Sequence, residues 1–284
     1  MNITSLGEGQ GKIVGCENDE NILSLDPIMI RNLFKSSGLL LFRGFEMSES
    51  LFPSFVSPFT SQYLRDDYGN SKTPDPTGGY VQSVTLGSKP IELHCENAIS
   101  AERPDILWFY CARPALRDGE TTFCDGVAVW ERLSREVKDL FLAKKVKYTI
   151  TVPRQIYLNV NAEIVLRIGK LKFAGTTYRF NDDDSLTVEY IVSAVNKTKY
   201  GDQLAFANSV TGPYPSYKTT FEDDSPVPLA AMQEIKQLHQ HLTENIPWQA
   251  ADVVMIDNSR FMHGRRAFND KQRSIFSMMS LANF

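Results

Sequence analysis

Cysteine is scarce and badly placed for metal or redox work. The four residues, Cys16, Cys95, Cys111 and Cys124, form no CxxC pair, so neither a zinc module nor a disulfide framework is signalled. Charge of one sign is also lacking. The 284 residues carry a formal charge of −4, and no basic stripe of the kind that nucleic acid or an anionic membrane would require. The longest apolar run near the start, Leu39–Phe42, is far too short to span a bilayer. The opening MNITSLGEGQGKIVG has no basic stretch followed by an apolar one, so no signal peptide is read and a reduced, cytoplasmic setting is expected. There are no internal repeats and no low-complexity segments.

What is present is enough apolar residue, 42%, for a sizeable core. Asp26 can cap and Pro27 open a first helix, with Ile28, Ile30, Leu33 and Phe34 as its apolar residues and Gly38 as its stop. A short buried strand, LLLFRGF, follows, and Ser48–Phe59 reads as a second helix if Pro53 lies in its first turn. Residues 60–82 are rich in turn formers, with Arg65, Tyr68 and Tyr80 interleaved, and are expected to form a lid.

From Val81 on, short strands are expected at 81–85, 90–96, 105–111 and 120–124. One helix over 127–144 follows. Strands resume at 145–151, 155–160, 163–168, 171–174, 177–180 and 187–193. A helix over 227–244 places Leu229, Met232, Ile235, Leu238 and Leu242 on one face. The strands Val253–Ile256, Phe261–His263 and Ser274–Leu281 close the chain. Many short strands without a βαβ rhythm argue for an antiparallel sandwich or barrel with flanking helices. One domain over 1–284 is expected, with the lid insertion at 60–82 and a helical insertion near 225–245.

Chemistry concentrates around two of the four histidines. In IELHCEN, a strand would point His94 and Glu96 to one face and Cys95 to the other. Alone that pair is weak, because H-x-[DE] arises by chance roughly 40% of the time in a chain of this composition. His263, in MIDNSRFMHGRRAF, supplies a second imidazole after another strand. Two histidines and one carboxylate on a β scaffold form a facial set that suits Fe(II) and leaves positions open for a co-substrate and oxygen. Such a centre needs a two-electron donor, for which 2-oxoglutarate serves, and an arginine to hold the far carboxylate. Arg273 lies on the following strand, and Thr121 is a candidate hydroxyl partner.

The segments LHCEN, RPDILWFYCARP, DGETTFCDG and IDNSRFMHGRRAF, with the later Arg273, together resemble the TauD/TfdA-type 2-oxoglutarate oxygenases. The resemblance is closest to the branch with a glutamate ligand, which includes clavaminate synthase and the asparagine and arginine hydroxylases. It covers most of residues 38–280. It implies a double-stranded β-helix (jelly roll), iron ligated by His94, Glu96 and His263, and 2-oxoglutarate touched by Thr121 and clamped by Arg273. O2 is the other co-substrate. This chain departs from the pattern in two places. Arg273 follows His263 at the short end of the family's spacing, and Ser277 stands where a second arginine is often found.

Blander readings attach to the remaining residues. His239 and His241 lie i, i+2 on a helix and are read as solvent-facing. Trp108, Phe109 and Tyr110 are read as strand core, Cys95 as a buried thiol, and Asp257 and Asn258 as turn residues. Arg265 and Arg266 are left between surface charge and carboxylate binding. Arg65, Tyr68, Tyr80 and Gln82, with Asn208 and Tyr214, are the expected substrate contacts, suited to a small zwitterion. The expected partner is a small-molecule substrate, with neither nucleic acid nor membrane. Two other classes fit the metal set alone: a non-catalytic cupin-like binding protein and a zinc-dependent hydrolase.

Overall fold

Asp26 accepts a hydrogen bond from the Ile28 backbone N–H at 2.9 Å and Gly38 closes the helix at φ 72°, so α1 (Pro27–Ser37) begins and ends where its sequence dictates. Ile30 and Phe34 are buried, whereas Ile28 is 65% exposed and lies off the packed face. Pro53 sits in the first turn of α2 (Phe52–Val56), where its missing N–H costs nothing. These are features of a computed structural model that describes residues 1–64, 81–84, 87–155, 174–212 and 216–284. The expected strands at 155–160, 163–168 and 171–174 fall almost wholly outside the described residues, as does most of the 60–82 segment.

Two antiparallel sheets form the body. The larger runs β1 (Asn2–Ser5), β2 (Lys12–Gly15), β3 (Leu39–Arg43), β16 (Val253–Asp257), β7 (Ile106–Arg113), β18 (Ser274–Ala282), β4 (Thr60–Leu64). A two-residue strand, β5 (Gln82–Ser83), also pairs with β18, and among the described residues β2–β3 is the one parallel pairing. The smaller sheet runs β15 (Glu244–Ile246), β8 (Thr121–Asp125), β17 (Phe261–Arg265), β6 (Ile91–His94). Apart from β1, β2 and β3, the strands that pair in both sheets are distant in sequence, which is the winding of a double-stranded β-helix. A third sheet, β10 (Thr176–Phe180), β11 (Leu186–Val192), β9 (Val146–Val152), β14 (Lys218–Phe221), and a ribbon of β12 (Asn196–Lys197) with β13 (Leu204–Ala205), are added between β8 and β15.

Alternation along each strand divides the apolar residues among three cores. Leu39, Leu41, Phe109, Val254 and Ile256 of the larger sheet meet Phe123, Ile246 and Phe261 of the smaller one between the sheets. Phe42, Trp108 and Met255 face outward beneath α1 and α2. Cys124 and Met262 face outward beneath the helices that follow β8 and precede β15. The strands expected near the two sheets are all present within one or two residues of their expected ends.

The helix expected over 127–144 is instead two, α3 (Gly126–Arg132) and α4 (Arg135–Ala143). Ser134 breaks it: its hydroxyl caps α4 by accepting from Val137 N–H. Its own N–H and O–H donate to Glu234 at 2.6 and 2.8 Å. Glu234 belongs to α5 (Leu229–Leu242), whose buried residues are Ala231, Ile235 and His239, a spacing of four. Leu229 is 74% exposed, so the apolar stripe starts later than its sequence suggested. His239 is buried rather than solvent-facing because it shares that stripe; His241 is exposed as expected. Among the described residues no helix is long and apolar enough to cross a membrane.

Candidate active site

His94 and His263 are directly opposed in the β6–β17 pairing, and their rings lie 4.2 Å apart. Glu96, two residues past His94, brings Oε2 to 3.5 Å from His263 Nε2 and 3.9 Å from His94 Nε2. One ligand atom from each of the three lies within 4.8 Å of the others, a cluster that one ion can satisfy. Cys95 points the opposite way into the outer core, where burial pushes its thiol up to about 11 and keeps it unreactive.

Backbone contacts fix the orientation of this set. His94 Nδ1 lies 2.9 Å from the Glu92 carbonyl, which makes Nδ1 the protonated nitrogen and leaves the Nε2 lone pair for a metal. Asn258, fully buried, donates to the Glu96 carbonyl and accepts from the Glu96 N–H, both at 2.9 Å, and donates to the Pro104 carbonyl at 3.0 Å. Arg103 in turn donates to the Asn258 carbonyl. On the other side the Cys95 N–H donates to the Asn208 carbonyl, and Ser209 Oγ donates to the Cys95 carbonyl. Asn258 therefore does more than cap a turn: its side chain binds the loop after β16 to the backbone of Glu96.

Electrostatics favours the metal-ready protonation states. Burial, reinforced by His263, lowers His94 to about 4 and keeps it neutral. Burial opposes ionisation of Glu96, but its hydrogen bond with His263 and the electrostatic influence of the two neighbouring histidines outweigh it and hold the carboxyl below its ordinary range.

The alternation that turns His263 inward also turns Arg265 inward, opposite Thr121. Arg265 donates to the Val84 and Lys89 carbonyls and lies over the Phe268 ring. Arg273 lies over the same ring, with its centre 4.9 Å from the centroid, and its Nε donates to the Gly119 carbonyl at 3.0 Å. Its Nη1 is buried without a hydrogen-bond partner. Burial first, and the charge of Arg265 second, lower the guanidinium to about 10, so this cation stays charged, and among the described residues no carboxylate forms an ion pair with it. Thr121 Oγ1 accepts from the Trp248 indole N–H at 3.0 Å, which leaves its own O–H to donate.

The donor set, two imidazoles and one carboxylate with no thiolate, fits Fe(II) better than a closed structural zinc site. The orphaned Arg273 Nη1 fits an anionic co-substrate. Of the other expected site residues, Gln82 is buried on β5, and Asn208 has both ends of its amide engaged, by Ala194 O and Val210 N–H. Arg65, Tyr68, Tyr80 and Tyr214 lie outside the described residues. Arg266 is exposed and donates to Asn245. Sequence reasoning left Arg265 undecided and passed over Phe268 and Trp248. The spacing His263-x-Arg265 was the available signal for the first.

A double-stranded β-helix with this facial set and a buried arginine awaiting an anion defines an Fe(II)- and 2-oxoglutarate-dependent dioxygenase. The chain belongs to the TauD/TfdA family: the model described as "Taurine catabolism dioxygenase TauD, TfdA family" matches residues 8–279. Among its relatives is the dapdiamide synthesis protein DdaC of Enterobacter agglomerans, 22% identical over 86% of this chain and 82% of that one. A clavaminate synthase-like protein of Arabidopsis thaliana is 24% identical over 87% and 83% of the two chains. A taurine dioxygenase structure from Burkholderia xenovorans superposes with a TM-score of 0.66 at 13% identity, covering 99% of this chain and 89% of that one.

Proposed function

We propose that this dioxygenase oxidises a small polar metabolite, an amino acid or an amino-acid-derived biosynthetic intermediate. In this reading His94, Glu96 and His263 hold the iron, and Arg273 with Thr121 anchors 2-oxoglutarate. The observation that carries the second assignment is the buried Arg273 Nη1, a charged donor without a partner on a guanidinium whose Nε donates to the Gly119 carbonyl, two residues before Thr121. Bound iron with 2-oxoglutarate and O2 supplies a two-electron oxidation of a C–H bond, with release of succinate and carbon dioxide.

The chain's own residues position and protect. Arg273 fixes the far carboxylate, so the reacting end is presented in one orientation. The Thr121 O–H adds a directional donor, aimed by Trp248. The apolar inner face of the larger sheet excludes water, and Glu96 fills the position that a halide would need, which favours hydroxylation, desaturation or ring closure over halogenation. A relative named for dapdiamide synthesis supports a biosynthetic setting. The mixed polar and charged residues Arg65, Tyr68 and Tyr80 support a zwitterionic substrate.

The test is anaerobic addition of Fe(II) and 2-oxoglutarate, read by the weak visible charge-transfer band. The wild type should show it and His263→Ala should not; a band retained in the variant removes His263 from the ligand set. Succinate release is then measured across amino acids, their derivatives, sulfonates and apolar compounds. Stimulation by a sulfonate or an apolar compound, with none by any amino-acid derivative, would refute the substrate class.

A further inference from the structure

We propose that Gln82 donates the hydrogen bond to the iron-proximal carboxylate end of 2-oxoglutarate, replacing the arginine for which this chain has Ser277. The inference rests on the co-substrate reading above and assigns its second anchor.

Gln82 and Ser277 are directly opposite in the β5–β18 pairing; Ser277 is opposite Phe109, and Phe109 is opposite Val254. Directly opposed residues share a face. Phe109 and Val254 belong to the core between the sheets, so the Gln82 side chain faces that interior. The flanking residues agree: Val81 packs in the outer core and Val84 against the inner one. The row lies level with the metal ligands, because the Phe109 ring is 5.6 Å from that of His263. Serine at 277 leaves open the volume that an arginine side chain there would fill.

The amide itself is the second observation. Gln82 is 8% exposed, and its Nε2 is buried with no hydrogen-bond partner. A buried primary amide without a partner is costly, and a methionine or leucine would fill the same space without that cost. Its donor therefore points to a ligand. A neutral donor also suits the surroundings. Arg265 and Arg273 already share the Phe268 ring, and a third buried guanidinium from position 277 would add repulsion.

The experiment is anaerobic calorimetric titration of the Mn(II)-loaded protein with 2-oxoglutarate and with 2-oxopentanoate, which keeps the 2-oxo acid end and lacks the far carboxylate. Gln82→Met, close in shape but without the donor, should weaken 2-oxoglutarate by roughly ten- to a hundredfold, the worth of one hydrogen bond to a charged group. The same factor should appear with 2-oxopentanoate, whereas Arg273→Ala should affect that ligand little. Ser277→Arg added to Gln82→Met should restore most of the affinity, which a merely structural role for Gln82 would not allow. Gln82→Glu, which sets a carboxylate against a carboxylate, should bind more weakly than Gln82→Met. Unchanged 2-oxoglutarate affinity in Gln82→Met overturns the inference alone, and a raised substrate KM in that variant would place Gln82 on the substrate. A loss seen with 2-oxoglutarate but absent with 2-oxopentanoate also overturns it. Failure of the wild type to bind 2-oxoglutarate overturns the co-substrate reading as well.

Discussion

The inner face of the larger sheet is a wall of Leu41, Leu107, Phe109, Val254, Ile256 and Met279, while the inner face of the smaller sheet adds Thr121, His263 and Arg265, beside His94, to the apolar Phe123, Ile246 and Phe261. The two are also held differently. The wall's central strands β7 and β18 run for eight and nine residues and are stabilised by ladder bonds and apolar burial on both faces. The strands that bear chemistry are three to five residues long. They rely on side chains that clamp backbone: Asn258 on Glu96, Ser209 on Cys95. The polar groups on that face gain little from burial, so each must find a partner. Arg273, where the wall's strand β18 begins, keeps a buried donor without a partner, the place a bound anion is proposed to fill.

The sharpest way to test this division is Arg273→Ala. Removing one partner of a buried charged contact costs roughly 2–5 kcal/mol, so 2-oxoglutarate affinity should fall by about a hundredfold or more in calorimetry. The unliganded protein should lose little, because its own guanidinium is an uncompensated buried charge. An equal loss of melting temperature and of affinity would instead make Arg273 part of the wall. The converse is Leu41→Ala, on the wall far from the ligands in sequence. It should cost about 2–5 kcal/mol in denaturant unfolding and leave iron affinity within about twofold. Iron affinity that fell in step with stability would show that wall and site are not separable.

Asn258→Ala addresses the clamp. It strips partners from the Glu96 N–H, the Glu96 carbonyl and the Pro104 carbonyl. Groups that orient metal ligands typically contribute ten- to a hundredfold in affinity, so iron titration should show a loss of roughly that size. Unchanged iron binding would mean that Asn208 and Ser209 hold the turn unaided.

The wall was easier to foresee than the clamps. LLLFRGF, RPDILWFYCARP and the final strand announce themselves by apolar runs, and period-two alternation placed His94 with Glu96. His263 and Arg273 came from motif spacing. Ser134's interruption of a helix is a long-range effect, because the acceptor, Glu234, lies on α5. Asn258's grip on Glu96 likewise joins residues far apart in the chain, and nothing local in IDNSRF distinguishes it from an ordinary turn. Burial of His239 depends on which stripe of α5 packs down, and the misplaced Leu229 shifted that stripe.

The smallest of these tests concerns that histidine, which lies on the helix covering the outer face of the smaller sheet. His239 Nδ1 is 3.3 Å from Thr211 Oγ1, its Nε2 is buried without a partner, and burial lowers its pKa to about 4. The unfolded chain takes up a proton near 6.5 and the folded one only near 4, so the unfolded state binds more protons between those values. Stability is therefore intact above about pH 6.5 and declines as pH falls towards 4, with about 2 kcal/mol lost at pH 5 from this residue. His94, lowered for the same reason, adds a parallel decline in the iron-free protein. His239→Leu should flatten the slope of unfolding free energy against pH by roughly one proton over that window. Leu41→Ala should displace the whole curve without changing its slope. Identical slopes in wild type and His239→Leu would refute the assignment. A slope changed by Leu41→Ala would show that acid sensitivity is not confined to the sheet that carries the chemistry.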